Sequence, residues 1–377
     1  MPPSLDQLPT PCLLLDRERL ERNCARLRDR MAGLGASLRP HLKTCKSRPV
    51  AELMLAGGNG SATVSTLREA EEFAACGVRD LIYAVGIAPA KLDRVARMRA
   101  AGVDLAVILD SVEQAEALAA RARSGEAPIP ALIEIDADGH RAGIRPERRE
   151  QLLAVARALP QDGLRGVLTH AGDSYHAHGV AALEQAAEQE RAAAANAAAT
   201  LRASGFACPV VSVGSTPTAH FARNLAGVSE VRAGVYCFFD LVMAGLGVCG
   251  LDDIACTVLA TVIGHQPEKG PLGGWTLTDA GWMALSRDRG DGQSGYGLVC
   301  DEAGRPYENW LVTETSQEHG VLALRPGART PPPRLAVGAR VRILPNHICA
   351  TAAQFDSYFV LDRMTGVMAE WPRFRGF

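Results

Sequence analysis

Aromatic residues are scarce in this sequence, 5% of 377 positions, although its length permits a large core. No run of 18 apolar residues occurs, which excludes a predicted membrane-spanning helix. Basic and acidic residues nearly balance, 40 against 42, for a net charge of −2. With no basic block, neither nucleic acid nor a membrane surface is an expected partner. The start, Met-Pro-Pro-Ser-Leu-Asp-Gln, has no basic n-region and no apolar h-region. Ten cysteines are scattered singly, without a Cys-x-x-Cys pair, which argues for reduced thiols and a cytosolic protein. Internal repeats and low-complexity tracts are also lacking.

What is present is an alternation. A short strand over Pro11–Asp16 precedes a helix that Asp16 caps and whose apolar residues Leu20, Cys24, Leu27 and Met31 recur at helical spacing. Apolar or β-branched segments then follow at Ser37–Leu42, Ser61–Ser65, Asp80–Val85, Val103–Asp110, Pro130–Asp136, Leu164–His170, Pro209–Gly214 and Glu230–Phe238. Between them lie runs of strong helix formers such as Ser111–Arg123 and Val180–Leu201. Eight such strands over about 220 residues predict a (β/α)8 barrel, with a doubly wound sheet as the alternative. Past Gly250 short β-type runs dominate: Asp253–His265, Trp275–Leu285, Trp310–Glu314, Val321–Leu324, Arg340–Leu344 and Tyr358–Leu361, broken by Gly, Pro and Asp. The expected organisation is a barrel over residues 17–250 and an all-β domain made of 1–16 and 251–377.

A barrel gathers its chemistry at the C-terminal ends of its strands, and the unusual residues fall there. Strand one runs into Arg39-Pro40-His41-Leu42-Lys43-Thr44, where a lysine at a strand end can face a pocket. Asp110 follows strand four; Asp138, His140 and Arg141 follow strand five. Thr169, His170 and the loop Gly172-Asp173-Ser174-Tyr175-His176 follow strand six. Gly214-Ser215-Thr216-Pro217-Thr218 follows strand seven, and Arg232, Gly234 and Tyr236 belong to strand eight. A Gly-Ser-Thr turn opening a helix can present backbone N–H groups to an anion, although it is also an ordinary loop and N-cap.

In the β-domain, Pro345-Asn346-His347-Ile348-Cys349 would, on an extended segment, point His347 and Cys349 to one side. Imidazole plus thiolate suits zinc and leaves positions open for water or substrate. From the tripeptide alone, a core histidine beside a buried free cysteine is the commoner arrangement. Gln317-Glu318-His319-Gly320 is a candidate source of supporting contacts.

These motifs, in this order, resemble the eukaryotic-type D-serine dehydratases and D-threonine aldolases, and most of all the bacterial D-threo-3-hydroxyaspartate dehydratases. The resemblance spans Thr10 to the Trp371-Pro372-Arg373-Phe374 tail. It implies the alanine-racemase-like fold of enzymes that use pyridoxal 5′-phosphate (PLP), usually as homodimers, with Lys43 carrying PLP covalently. It further implies that Arg141 contacts the phenolic oxygen, His170 packs behind the pyridine ring and Arg232 faces the ring nitrogen. Gly214, Ser215, Thr216 and Tyr236 are implied to hold the phosphate, and Tyr175 and Gly234 complete the implied cofactor set. His347 and Cys349 match the dehydratases' metal pair, zinc first and cobalt or manganese as alternatives; the aldolases typically have aspartate in the second place. The implied activity is dehydration of a D-β-hydroxy amino acid, D-threo-3-hydroxyaspartate or D-serine, to a 2-oxo acid and ammonia, by way of Lys43, His347 and Cys349. Retro-aldol cleavage and racemisation are the rival readings. Arg287 and Arg289 are candidate partners for a second substrate carboxylate, against a reading as solvated surface arginines.

Overall fold

The computed structural model describes residues 5–270, 272–290, 292, 294–331, 333–362 and 368–377. It divides into two compact units, Cys24–Tyr236 with Gly376–Phe377, and Met1–Asn23 with Cys237–Arg375. The breaks lie inside the expected barrel limits of 17 and 250. Asn23 accounts for the first break, because its buried side-chain amide donates to Cys237 O at 3.2 Å and Asp253 O at 2.8 Å. The opening turn of helix Arg17–Gly33 thus belongs with the β-rich unit.

The first unit is an eight-stranded parallel barrel. Its strands are Ser37–Pro40, Ser61–Val64, Asp80–Gly86, Asp104–Leu109, Ala131–Ile135, Leu164–Thr169, Val210–Val213 and Glu230–Ala233. Each pairs in parallel with its sequence neighbour from the second strand to the eighth, and the first pairs with the eighth, Leu38 opposite Val231. The ring closes between the first and second strands by a bridge between His41 and Thr63, with Leu42 N–H donating to Thr63 O at 2.9 Å. These strands are nearly continuously buried, as parallel strands covered on both faces must be. Ile82, Ala106, Ile108, Leu132 and Leu168 form one aliphatic cluster across them. The eighth strand ends at Ala233, short of the expected Phe238, and passes into the turn Val235–Cys237. The chain passes close at Gly234, where a Cβ would stand 2.9 Å from His41 O.

The second unit is a nine-stranded sheet in the order Trp275–Thr278, Gly320–Leu324, Pro306–Thr315, Leu298–Cys300, Arg340–Leu344, Cys256–Gln266, Cys12–Asp16, Ser357–Leu361, Met368–Pro372. Cys256–Gln266 also pairs with Trp275–Thr278, so the first six strands close into a ring of their own. Two expectations are corrected here. The β run predicted over Trp275–Leu285 stops at Thr278 and gives way to the short helix Trp282–Leu285. Gly281 sits at the change, where a Cβ would lie 2.3 Å from Gln317 O. The segment after His347 is likewise a helix, Ile348–Ala352, not a strand. Leu298–Cys300 and Met368–Pro372 are strands that hydropathy alone did not mark. No described helix is long and apolar enough to cross a membrane.

Candidate active site

The C-terminal ends of the barrel strands surround a cleft of about 690 Å³, counted with the solvent at its mouth. Its walls bring together His41, Lys43, Arg141, His170 and Tyr175 from the ends of strands one, five and six. Gly214, Ser215 and Thr216 join from strand seven, and Arg232 and Gly234 from strand eight. Tyr236 is fully buried in the turn after Gly234. Ser65 and Glu134 also line the cleft and were not singled out from the sequence.

Lys43 is exposed in the turn after the first strand. Its neighbour Lys46 has the left-handed φ of +41° and pairs with the buried Glu69 carboxylate at 3.2 Å. Of the two lysines, Lys46 is therefore committed to the loop and Lys43 faces the cleft.

His170 Nδ1 lies 2.9 Å from Gly214 O, and since a carbonyl only accepts, Nδ1 carries the proton. Burial drives the His170 pKa down to about 3, against the hydrogen bond to Gly214 and with the cations Lys43, Arg232 and Arg141 adding to the fall. Burial first, then Lys43 and Arg232, likewise holds His41 well below the usual imidazole range. Arg232 donates to Ser212 Oγ at 2.8 Å and to Thr169 O at 2.6 Å. Below it, Ser212 donates to Glu230 at 2.6 Å, and Glu230 accepts from Arg39 Nε at 2.8 Å. Arg39 reaches on to Asp80 at 2.9 and 3.1 Å. Buried charges survive when paired in this way. Glu134 is raised by burial and has Arg141 at 3.8 Å.

The Gly-Ser-Thr turn differs from its expected form. Gly214 has φ +135°, and a Cβ there would stand 2.1 Å from Arg232 O, so only glycine fits. Its N–H donates to Glu190 Oε1 at 2.9 Å, and Ser215 N–H donates to Thr218 Oγ1 at 3.0 Å. Two backbone donors expected to face an anion are thus spent on protein acceptors, one on the helix residue Glu190 and one within the turn. Thr216 Oγ1, by contrast, is buried with no partner beside the cleft, and a buried hydroxyl of this kind calls for a ligand atom. Asp110, Asp138 and His140 serve the loops: Asp110 accepts from Gly143 N at 2.9 Å, Asp138 accepts from Asp173 N at 2.9 Å, and His140 Nδ1 stands 3.3 Å from Asp173 Oδ1.

The β-rich unit holds a cluster of its own. His347 caps the helix Ile348–Ala352, so Cys349 lies in the helix's first turn; the two side chains nonetheless hydrogen-bond. His347 Nδ1 is 3.0 Å from Asp288 Oδ2. The Asp288 contact and then that of Cys349 push the imidazole up to about 11, against burial. His347 in turn lowers Asp288. The partner of the histidine is Asp288, not a side chain of Gln317–Gly320, where Gln317 donates to Glu318 at 3.3 Å. The fully buried Asp240 fixes the segment from behind, accepting from Met243 N at 2.9 Å and Ile348 N at 3.1 Å. Burial pushes that carboxyl up to about 6. Arg287 and Arg289 are exposed and lie over the rings of Trp282 and Tyr296, at 4.3 and 5.5 Å. Among the described residues no three His, Cys, Asp or Glu are arranged around one ion position. A nitrogen and a sulfur donor remain, a set that suits zinc.

The barrel's N-terminal stretch and strands match the family model "Alanine racemase, N-terminal domain" over residues 15–242, and residues 255–361 match a model of a serine dehydratase domain. The chain is 50% identical to D-threo-3-hydroxyaspartate dehydratase of Delftia sp. (strain HT23), with 100% of both chains covered. The solved structure of that enzyme superposes with a TM-score of 0.95 over 99% of this chain and 100% of the other. Two further similar structures are of D-threo-3-hydroxyaspartate dehydratase variants, one with a histidine replaced by alanine and one with a cysteine replaced by alanine in a metal-free form, each 50% identical to this chain. D-Serine dehydratase of Dictyostelium discoideum is 29% identical over 95% of this chain and 94% of its own. 3-Hydroxy-D-aspartate aldolase of Paracoccus denitrificans (strain Pd 1222) is 28% identical over 98% of this chain and 93% of its own.

Proposed function

The chain belongs to the alanine-racemase-fold family that contains the D-threo-3-hydroxyaspartate and D-serine dehydratases, and from that premise we propose that it is a PLP- and metal-dependent dehydratase of D-β-hydroxy amino acids. D-threo-3-hydroxyaspartate is the first substrate in this reading and D-serine the second. The observation that carries it is the full-length 50% identity to the Delftia enzyme. The exposed Lys43 on the cleft wall supports it.

Thr216, with its partnerless buried hydroxyl beside glycine-only backbone at Gly214, suits an anionic group such as the PLP phosphate. Ser215, Gly234, Tyr175 and Tyr236 would complete that end of the site. Arg232 would hold the ring nitrogen as an always-charged donor, Arg141 the phenolic oxygen, and His170 would back the ring as a neutral imidazole. Bound PLP supplies an electron sink at the substrate α-carbon, and a bound divalent ion a Lewis acid for the β-hydroxyl. Lys43 would hold the cofactor, and its Nζ would take up the substrate α-proton. His347 and Cys349 hold the ion, zinc by donor type, with Asp288 fixing the imidazole. The metal-free form of a D-threo-3-hydroxyaspartate dehydratase cysteine-to-alanine variant supports this pair. The substrate loses its α-proton and β-hydroxyl as water, and hydrolysis then releases ammonia and leaves the 2-oxo acid.

The same family reading implies a homodimer, and ten free cysteines fit a reducing cytosol. The Paracoccus relative motivates the second reading, retro-aldol cleavage. Product analysis separates them. Protein loaded with PLP and zinc should convert D-threo-3-hydroxyaspartate to ammonia and oxaloacetate in equal amounts. Glycine and glyoxylate as the main products would assign the aldolase reaction instead.

A further inference from the structure

Glu190 lies on the long helix Val180–Ala203 and is 2% exposed. Among the described residues no lysine or arginine forms an ion pair with it. Instead Oε1 accepts from Ala171 N and Gly214 N, both at 2.9 Å, and Oε2 accepts from Thr218 Oγ1 at 2.7 Å. Thr218 Oγ1 in turn accepts from Ser215 N at 3.0 Å. Ser215 Oγ stands 2.9 Å from Ser174 Oγ, which donates to Ala171 O at 2.7 Å. The circuit begins and ends at Ala171, the residue after His170.

Burial raises the Glu190 carboxyl, while the hydrogen bonds from Thr218, Gly214 and Ala171 and the guanidinium of Arg232 pull it back; beside an anion site, charge alone does not explain its presence. Geometry does. An ionised carboxylate only accepts, and this one absorbs the two N–H groups and one hydroxyl that would otherwise compete for positions in the turn. Thr216 is left as the open donor, Gly214 keeps its left-handed φ, and its carbonyl stays aimed at His170 Nδ1. We propose that Glu190 is a positioning residue that sets the phosphate cup at Gly214–Thr216, and through Ala171 the His170 wall, before PLP binds. This rests on the PLP reading above.

The test compares two probes on the full-length apo-protein, PLP and pyridoxal, which lacks the phosphate. A role in the cup affects the ratio of the two affinities; a role in general packing weakens both alike. Glu190→Ala should lower the PLP-to-pyridoxal affinity ratio by about ten-fold or more, as loss of several buried hydrogen bonds implies. Glu190→Gln keeps an acceptor oxygen for the two N–H groups and should keep the ratio within about three-fold of the wild type. A folded Glu190→Ala protein with an unchanged ratio overturns the proposal. Should that variant not fold, Thr218→Val keeps the volume and removes one link of the circuit. A ratio unchanged in Thr218→Val would then overturn it. Failure of the wild-type chain to bind PLP would instead sink the cofactor reading.

Discussion

The two candidate sites are tuned in opposite directions. In the barrel cleft, burial and the cations Lys43, Arg232 and Arg141 drive His170 down to about 3 and keep its ring neutral. In the β-rich unit, Asp288 and Cys349 draw His347 up to about 11. The first environment is rich in positive charge and hydroxyl donors, as a phosphorylated ligand requires; the second is rich in acceptors and a thiol, as a cation requires. Construction differs too. The cleft takes its side chains from many strand ends, while the cluster comes from two loops and one cap, half-exposed at His347 and Asp288.

The sharpest way to break this contrast is at Lys43. Lys43→Ala should cut turnover by at least about 10³-fold while the protein stays folded, because the nucleophilic amine is lost from a strand end that serves chemistry more than packing. Borohydride reduction of the PLP-loaded protein should label Lys43 and spare Lys46, whose ammonium is held by Glu69. A fully active Lys43→Ala protein, or label on Lys46, would reverse the roles of the two lysines.

Next in size is the metal. Chelation to a metal-free state, checked by elemental analysis, should abolish dehydration yet leave bound PLP absorbance in place, and zinc should restore the rate. His347→Ala should match the chelated protein. Undiminished turnover without metal would return His347 and Cys349 to simple packing.

How much of this was legible depended on the rule each residue obeys. The strand-end rule carried the barrel site: Lys43, Arg141, His170, Gly214 and Arg232 were placed by position along the chain, and they line one cleft. Glu190 escaped because it lies on a helix, though its spacing with Leu183, Ala187, Ala194, Ala197 and Leu201 puts an acid on the buried face, a conflict that hydrophobic periodicity alone can expose. Glu134 carried a similar signal, a charge inside an otherwise aliphatic central strand. In the β-rich unit no positional rule exists. Arg287 and Arg289 are the conspicuous residues of their loop in the sequence, yet the acid between them, Asp288, is the partner of His347. The pairing of His347 with Cys349 was anticipated from a strand's two-residue period, but a helix cap brings it about.

Stability and metal affinity should separate the two regions further. Glu230 is buried between Arg39 and Ser212, which leads on to Arg232. Glu230→Ala strands buried guanidinium charge and should cost about 3 kcal/mol or more. All four tryptophans lie in the β-rich unit, so far-UV circular dichroism, weighted to the barrel helices, is the measurement to use. A loss under about 1 kcal/mol would mean the chain of charges is not coupled as its distances imply. Asp288→Asn should leave unfolding nearly unchanged but weaken zinc binding by about 10-fold or more, since outer contacts orient a ligating imidazole. Competition with a chromophoric chelator reads that affinity; an unchanged value would remove Asp288 from the site.

The smallest effect concerns pH. His170 has a folded-state pKa of about 3, below the roughly 6.5 of an unfolded histidine. Between those values the unfolded chain binds a proton that the folded barrel refuses, so stability falls as pH drops from about 6.5 toward 3 and is unaffected by this group above about 7. Going from pH 7 to 5.5, the penalty from one such histidine is about 1 kcal/mol. His41, also held low, adds a slope of the same sign. Apo-protein should therefore unfold at lower urea at pH 5.5 than at pH 7, and His170→Gln should recover about 1 kcal/mol of that difference while His41 keeps the rest. No comparable acid loss is expected from His347, whose shift runs upward. If His170→Gln shows the same pH difference as the wild type, the imidazole takes up its proton in the folded barrel, and the contrast between the two sites loses its electrostatic basis.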